Sequence, residues 1–153
     1  TKSWIDNIVI PSEDRLFFLI CLPNGAAVGN FGLCNLGDNS GELDNLIRGK
    51  KGGDPQLVYF SEIALLNWMF DYLGYEFVTL QVFSNNYRTI RLHSSIGFTV
   101  IDSTPLIRRT FNDSLIYVQD TLHKENTNFS CHTMKITRDC FYNSYSWAQE
   151  FSC

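Results

Sequence analysis

One long helical repeat, framed by a glycine-rich loop and a β-branched run, restricts this chain most. From Gln56 to Leu73 the sequence QLVYFSEIALLNWMFDYL sets Ile63, Leu66, Met69, Phe70 and Leu73 on one apolar stripe. Gly74 follows, where helices commonly stop. Just before the repeat lies GKKGGDP, and just after it EFVTLQVF (76–83), a continuous apolar and β-branched strand. This strand–helix alternation requires a sheet with a helix packed on it.

The flanking segments extend that sheet. RLFFLICL (15–22) and AAVGNFGLCNL (26–36) are apolar runs joined by a Pro-Asn-Gly turn, which marks a hairpin; the second run carries two glycines. ELDNLIR (42–48) alternates, with Leu43, Asn45 and Ile47 on one face and Glu42, Asp44 and Leu46 on the other. Downstream, NNYRTIRLHSSIG has helical spacing and a glycine stop. FTVIDSTPLI (98–107) is a strand that breaks at Pro105, and SLIYVQDTL (114–122) fits either strand or helix. HKENTNFS is a polar loop and SCHTMKI (130–136) alternates as an edge or hairpin strand. Thr137 is placed to N-cap a closing helix, TRDCFYNSYSWAQEF. The order predicts an α/β (α+β) domain with a largely antiparallel first half, spanning residues 1–153 as one domain.

Charge and cysteine usage narrow the chemistry. A net charge of −4 argues against a nucleic-acid partner. No apolar run reaches the ~18 residues of a membrane span, and TKSWIDN does not read as a signal peptide. A cytoplasmic protein without membrane partners is the expectation. Cys21, Cys34, Cys131, Cys140 and Cys153 form no CxxC pair, and His93, His123 and His132 are not at metal-ligand spacing from them. Free, mostly buried thiols and no metal are therefore expected.

The segment IRGKKGGDPQL is a glycine-rich strand-to-helix loop. Such a loop leaves backbone N–H groups unpaired at the positive end of a helix dipole, so phosphate is its natural ligand. Arg48, Lys50 and Lys51 add formal charge there; the bland alternative is a solvated turn with lysines for solubility. Neither GxxxxGK[ST] nor GxGxxG occurs, which removes nucleoside triphosphates and dinucleotides as first choices.

Two stretches together point to a family. Asn86-Tyr-Arg-Thr-Ile-Arg-Leu-His-Ser-Ser-Ile-Gly-Phe98 resembles the motif N-x-x-A-I-x-L-Y-x-x-x-G-F of the GNAT acyl-CoA N-acyltransferases, with Thr89 in place of alanine and His93 in place of tyrosine. Arg48-Gly-Lys-Lys-Gly-Gly53 resembles that family's [QR]-x-x-G-x-[GA] phosphate loop, except that Lys51 occupies the position of its first glycine. The resemblance covers Phe17–Phe98 best. It implies a GNAT-like mixed, mostly antiparallel central sheet with helices on both faces and splayed strands holding CoA. It also implies a strand and two helices ahead of the hairpin, where this sequence has only TKSWIDNIVIPSED.

The same resemblance implies roles for residues. Acetyl-CoA would be the co-substrate, without a metal, with its pyrophosphate on Arg48, Gly49, Lys51, Gly52 and Gly53. The pantetheine would pair with backbone groups of Leu46, Ile47 and Arg48, with Asn86 beside the arm and Arg91 or Arg88 near the 3′-phosphate. Glu42 or Asp44 would serve as general base, each with the alternative of a solvent-side carboxylate near Arg48; Glu42 matches the family position better. His93 would protonate the departing thiolate, against the alternative of a helix-surface ring packed on Tyr87 or Phe98. The implied reaction is acetyl transfer to a primary amine of a small molecule, with a nucleotide-linked amino sugar ahead of a protein N-terminus or an aminoglycoside. A non-catalytic acyl-CoA-binding module is the competing class, and a homodimer or a larger parent chain the competing assemblies.

Overall fold

The computed structural model describes residues 3, 5–111, 114–119 and 129–151. His123, Cys153 and the 120–122 end of the ambiguous segment lie outside them. Seven strands run in the order β1-β2-β3-β4-β7-β5-β6. They are β1 (Leu16–Cys21), β2 (Ala27–Cys34), β3 (Ser40–Arg48), β4 (Phe77–Phe83), β5 (Thr99–Phe111), β6 (Ser114–Gln119) and β7 (Ser130–Thr137). Among the described residues they are accompanied by the α-helices α1 (Leu57–Asp71), α2 (Tyr87–Ile96) and α3 (Arg138–Ser144). The chain divides into two compact units, with the boundaries at Val78/Thr79 and Ile136/Thr137.

The first unit holds β1–β3, α1, the start of β4 and α3. The expected hairpin is present: β1 and β2 are antiparallel, and Gly25 takes φ +81 with its N–H on the Leu22 carbonyl at 2.8 Å. Such a φ is open to glycine at little steric cost. Helix α1 buries Ile63, Leu65, Leu66, Met69 and Phe70 and ends ahead of Gly74, at φ +71. Phe70 packs on Phe141 of α3 at 5.3 Å, and half-buried Trp68 meets Phe18 of β1 edge-on. Phe70 is a core residue, and Trp68 lies at the edge of the core. The buried stripe also carries Glu62, which has no solvent exposure and which hydrophobic periodicity overlooks.

Two expectations for this unit need correction. The closing helix stops early: α3 gives way at Tyr145 (φ −130) to a 3-10 turn, Ser146–Phe151. Asn143, Ser144 and Ser146 are poor helix formers because their side chains compete for backbone hydrogen bonds. Tyr145 instead lays its hydroxyl 2.8 Å from that of Tyr59. The Thr137 cap is as expected, its hydroxyl accepting from the Cys140 N–H at 3.3 Å. The second correction concerns β3. Asn30 pairs with Ile47 while Gly32 pairs with Asp44, so Phe31 alone faces both Asn45 and Leu46. This bulge, with Asn45 at φ +48, interrupts the alternation read over 42–48. Leu43 is buried and Ile47 exposed, although a strict period of two puts them on one face.

The second unit contains most of β4, then α2, β5, β6 and β7. Leu80, Val82, Ile96, Phe98, Met134 and Ile136 are its buried apolar residues. Strand β5 does not break at Pro105. It pairs with β7 through Thr99–Pro105 and with β6 from Leu106 onward, so the proline's missing N–H falls where the strand changes partners. The ambiguous stretch after Ser114 is a strand, antiparallel to β5.

The cysteines are also more open than expected. Of the four described, only Cys34 is buried; Cys21 and Cys140 are exposed and Cys131 is partly so. Burial pushes the Cys34 thiol up to about 11, aided by the Glu42 and Asp44 carboxylates. Thiolates are the reactive form. At neutral pH a disulfide reagent should therefore modify Cys21 and Cys140 quickly and Cys34 only on unfolding. Mass mapping of early adducts checks this.

Candidate functional site

The glycine–lysine loop is shaped by its own hydrogen bonds, which use part of the amide and guanidinium set expected to meet a phosphate. Gly49 and Lys50 donate their N–H groups to the Val28 carbonyl at 2.9 and 3.1 Å, which ties the start of the loop to β2. The Arg48 guanidinium folds back and donates to the carbonyls of Gly52 (2.8 Å), Pro55 (3.3 Å) and Asp54 (3.4 Å). Turning those carbonyls toward Arg48 removes acceptors that would repel an anion. Helix α1 then starts behind Gln56 with no side-chain cap and no acidic residue in its first turn. The Leu57 N–H already donates to the Asp54 carbonyl at 3.0 Å, which leaves the later N–H groups of the first turn and the dipole charge. Asp54 is the counterweight: its carboxylate accepts the Gln56 N–H at 2.6 Å.

Gly53 has a backbone reason for being glycine. It adopts φ +70, and a Cβ there would lie 2.7 Å from Leu22 Cδ2 and 3.2 Å from Leu57 Cδ2. Gly49 is unlike it, since a Cβ would meet only the Val28 carbonyl at 3.9 Å. Lys50 and Lys51 are exposed beside the loop.

Strand β3 carries the two carboxylates in different settings. Glu42 lies opposite Cys34, and its Oε2 accepts from Asn35 Nδ2 at 2.9 Å. Asn35 itself takes φ +51. Asp44 lies opposite Gly32 and is engaged on one oxygen by both Arg15 and the Asn45 side-chain amide. A cation therefore neutralises Asp44, whereas Glu42 is held by a neutral amide. Leu46 belongs to the bulge and Ile47 and Arg48 follow it; the bulge takes Asn45 and Leu46 out of the ladder register, and the Asn45 carbonyl accepts from the Asn30 side-chain amide instead. The first unit thus brings Glu42, Asp44, Leu46, Ile47, Arg48, Gly49, Lys51, Gly52 and Gly53 onto one strand and its loop.

The remaining candidates are on α2 in the second unit. Asn86 caps the helix, its Oδ1 accepting from the Thr89 N–H at 3.3 Å. Gly97 ends it at φ +121, with the Gly97 and Phe98 N–H groups on the His93 carbonyl. Arg88 and Arg91 are exposed with Tyr87 along a shallow depression of about 490 Å³. His93 is buried, its ring edge-on to Phe98 at 5.6 Å. His132 is hydrogen-bonded through Nδ1 to Ser103 at 3.1 Å.

Sequence reasoning did not single out Arg15, Asn30, Asn35 or Asn45, which surround the carboxylates and the bulge. A signal for the bulge was present in the two glycines of β2. Gly29 and Gly32 flank the residue opposite it, and a Cβ on Gly29 would sit 2.5 Å from the Ile47 carbonyl.

No protein-family model and no curated protein sequence matches this chain. Solved structures do match its fold. The spermidine/spermine N-acetyltransferase SpeG from Vibrio cholerae aligns with a TM-score of 0.67 at 13% identity, over 94% of this chain and 78% of SpeG. SpeG in complex with CoA and spermine gives 0.67 at 12% identity, over 93% and 76%. The N-acetyltransferase PseH from Campylobacter jejuni gives 0.58 at 14% identity, over 85% and 72%. The mixed, mostly antiparallel seven-stranded sheet with its flanking helices is the fold of the GNAT N-acetyltransferases.

Proposed function

We propose that this chain is an acetyl-CoA-dependent N-acetyltransferase acting on a primary amine of a small molecule. The observation that carries the reading is the loop from Arg48 to Gly53. Its carbonyls are gathered by an arginine, and an uncapped helix begins behind it, as suits a pyrophosphate. Acetyl-CoA supplies the acetyl thioester, whose C–S bond is exchanged for a C–N bond. The loop backbone beyond Lys50, with the Lys51 side chain, holds the anionic end, since the Gly49 and Lys50 N–H groups are already taken by the Val28 carbonyl. Backbone groups of Leu46, Ile47 and Arg48 hold the amide-rich arm.

In this reading Glu42 is the proton acceptor for the attacking ammonium, because Asp44 is already committed to Arg15. His93 returns a proton to the sulfur. Removing its N–H should expose that role: His93→Phe keeps an aromatic ring against Phe98, and should slow acetyl transfer about tenfold. This lies below the ~10²–10⁴ typical of general acids, since a thiolate of reference pKa ~8.5 leaves with little help. His93→Tyr should recover much of the rate. Full activity of the Phe variant across neutral pH would make His93 a packing residue only.

The acceptor is proposed to be a nucleotide-linked amino sugar. The likeness to a spermidine N-acetyltransferase favours a linear polyamine as the second class. Calorimetric titration of acetyl-CoA tests the cofactor assignment. Saturable binding that Gly49→Val weakens supports it, and no binding by the folded wild type overturns it.

A further inference from the structure

We propose that Asp44 is a positioning residue that braces the β3 bulge, through a web joining Arg15, Asp44, Asn45 and Asn30. This rests on the acetyl-CoA reading above, because the bulge is where the backbone becomes available to a ligand. Asn45 sits at φ +48, a conformation uncommon for a residue with a side chain and retained only where neighbours hold it. Here it is held from both sides. The Asn30 side-chain amide, from β2, donates to the Asn45 carbonyl at 2.7 Å. The Asn45 side-chain amide donates to Asp44, and Arg15 anchors the same carboxylate oxygen.

The anchoring is costly, which argues that it does something. Arg15 Nε is buried without a hydrogen-bond partner, and the Arg15 and Asp44 side chains are only 18% and 31% exposed. A web of this kind specifies one backbone arrangement. Gly29 and Gly32 make room for it: a Cβ on the first would lie 2.5 Å from the Ile47 carbonyl oxygen, and one on the second 3.0 Å from that of Asp44. The web thus presets the backbone of Asn45–Ile47, while proton transfer is left to Glu42.

Hydrogen exchange and acetyl-CoA calorimetry on Asp44→Ala test this, with Asn30→Ala as a milder variant that leaves the ion pair intact. Leaving network partners unsatisfied typically amounts to about a tenfold change. Both variants should speed amide exchange at the paired residues on either side of the bulge, Asp44 and Ile47, about tenfold and weaken acetyl-CoA binding by a like factor. The pH–rate profile should keep its shape. Wild-type exchange and affinity in both variants, or a changed profile in Asp44→Ala with affinity intact, would overturn the brace. Should the wild type bind no acetyl-CoA, the functional reading falls separately. The exchange measurement then decides the brace alone, acceleration supporting it and wild-type exchange overturning it.

Discussion

Glu42→Gln should lower kcat by about 10²–10⁴-fold, the usual contribution of a general base, and leave acetyl-CoA affinity at the wild-type value. Gln is nearly isosteric, so the packing beside Cys34 persists while the proton acceptor is lost. The contrast with Asp44 gives the prediction its force. A base must be free to gain a proton, and Asp44 is engaged by the Arg15 guanidinium and the Asn45 amide, whereas Glu42 receives one neutral hydrogen bond from Asn35. Steady-state rates with saturating acetyl-CoA check this. A Glu42→Gln enzyme with undiminished kcat would move proton transfer to water or another group.

Gly53→Val should be the most damaging change in the loop, acting on folding and binding together. A β-branched residue at φ +70 carries a left-handed penalty of roughly 1–2 kcal/mol. Its Cβ would also lie 2.7 Å from Leu22 Cδ2, the far end of a flexible side chain that can turn aside at small cost. A loss of about 1–2 kcal/mol should appear in urea denaturation. Acetyl-CoA binding should be lost as the start of α1 shifts. Gly49→Ala separates the two effects, since its Cβ meets little. It should fold normally, and any loss of acetyl-CoA affinity then reports on the cradle alone.

Much of the architecture was legible because local chemistry and tertiary structure agree. The Pro-Asn-Gly turn, the stripe of α1 with Gly74 after it, the Asn86 cap with Gly97 and the Thr137 cap each form where their side chains dictate. What escaped depends on partners distant in sequence. Pro105 reads as a break only until β5 is seen to change neighbours at that residue. The bulge at Asn45 is invisible to a period-two reading of β3, although the β2 glycines opposite it record the close approach. Asp44 stays a candidate beside the favoured Glu42 in the sequence because Arg15, 29 residues earlier, does not announce itself as its partner. Glu62 sits in an apolar stripe and was passed over for that reason.

The most direct test of the account is amine-dependent release of free CoA thiol from acetyl-CoA. Purified wild-type protein would be assayed against spermidine, nucleotide-linked amino sugars, aminoglycosides and peptide amines. Mass spectrometry would identify each acetylated amine. Thiol release stoichiometric with N-acetylation of at least one small amine is expected, strongly reduced in Glu42→Gln. Acetyl-CoA binding with no thiol release for any amine would contradict it and leave an acyl-CoA-binding module instead.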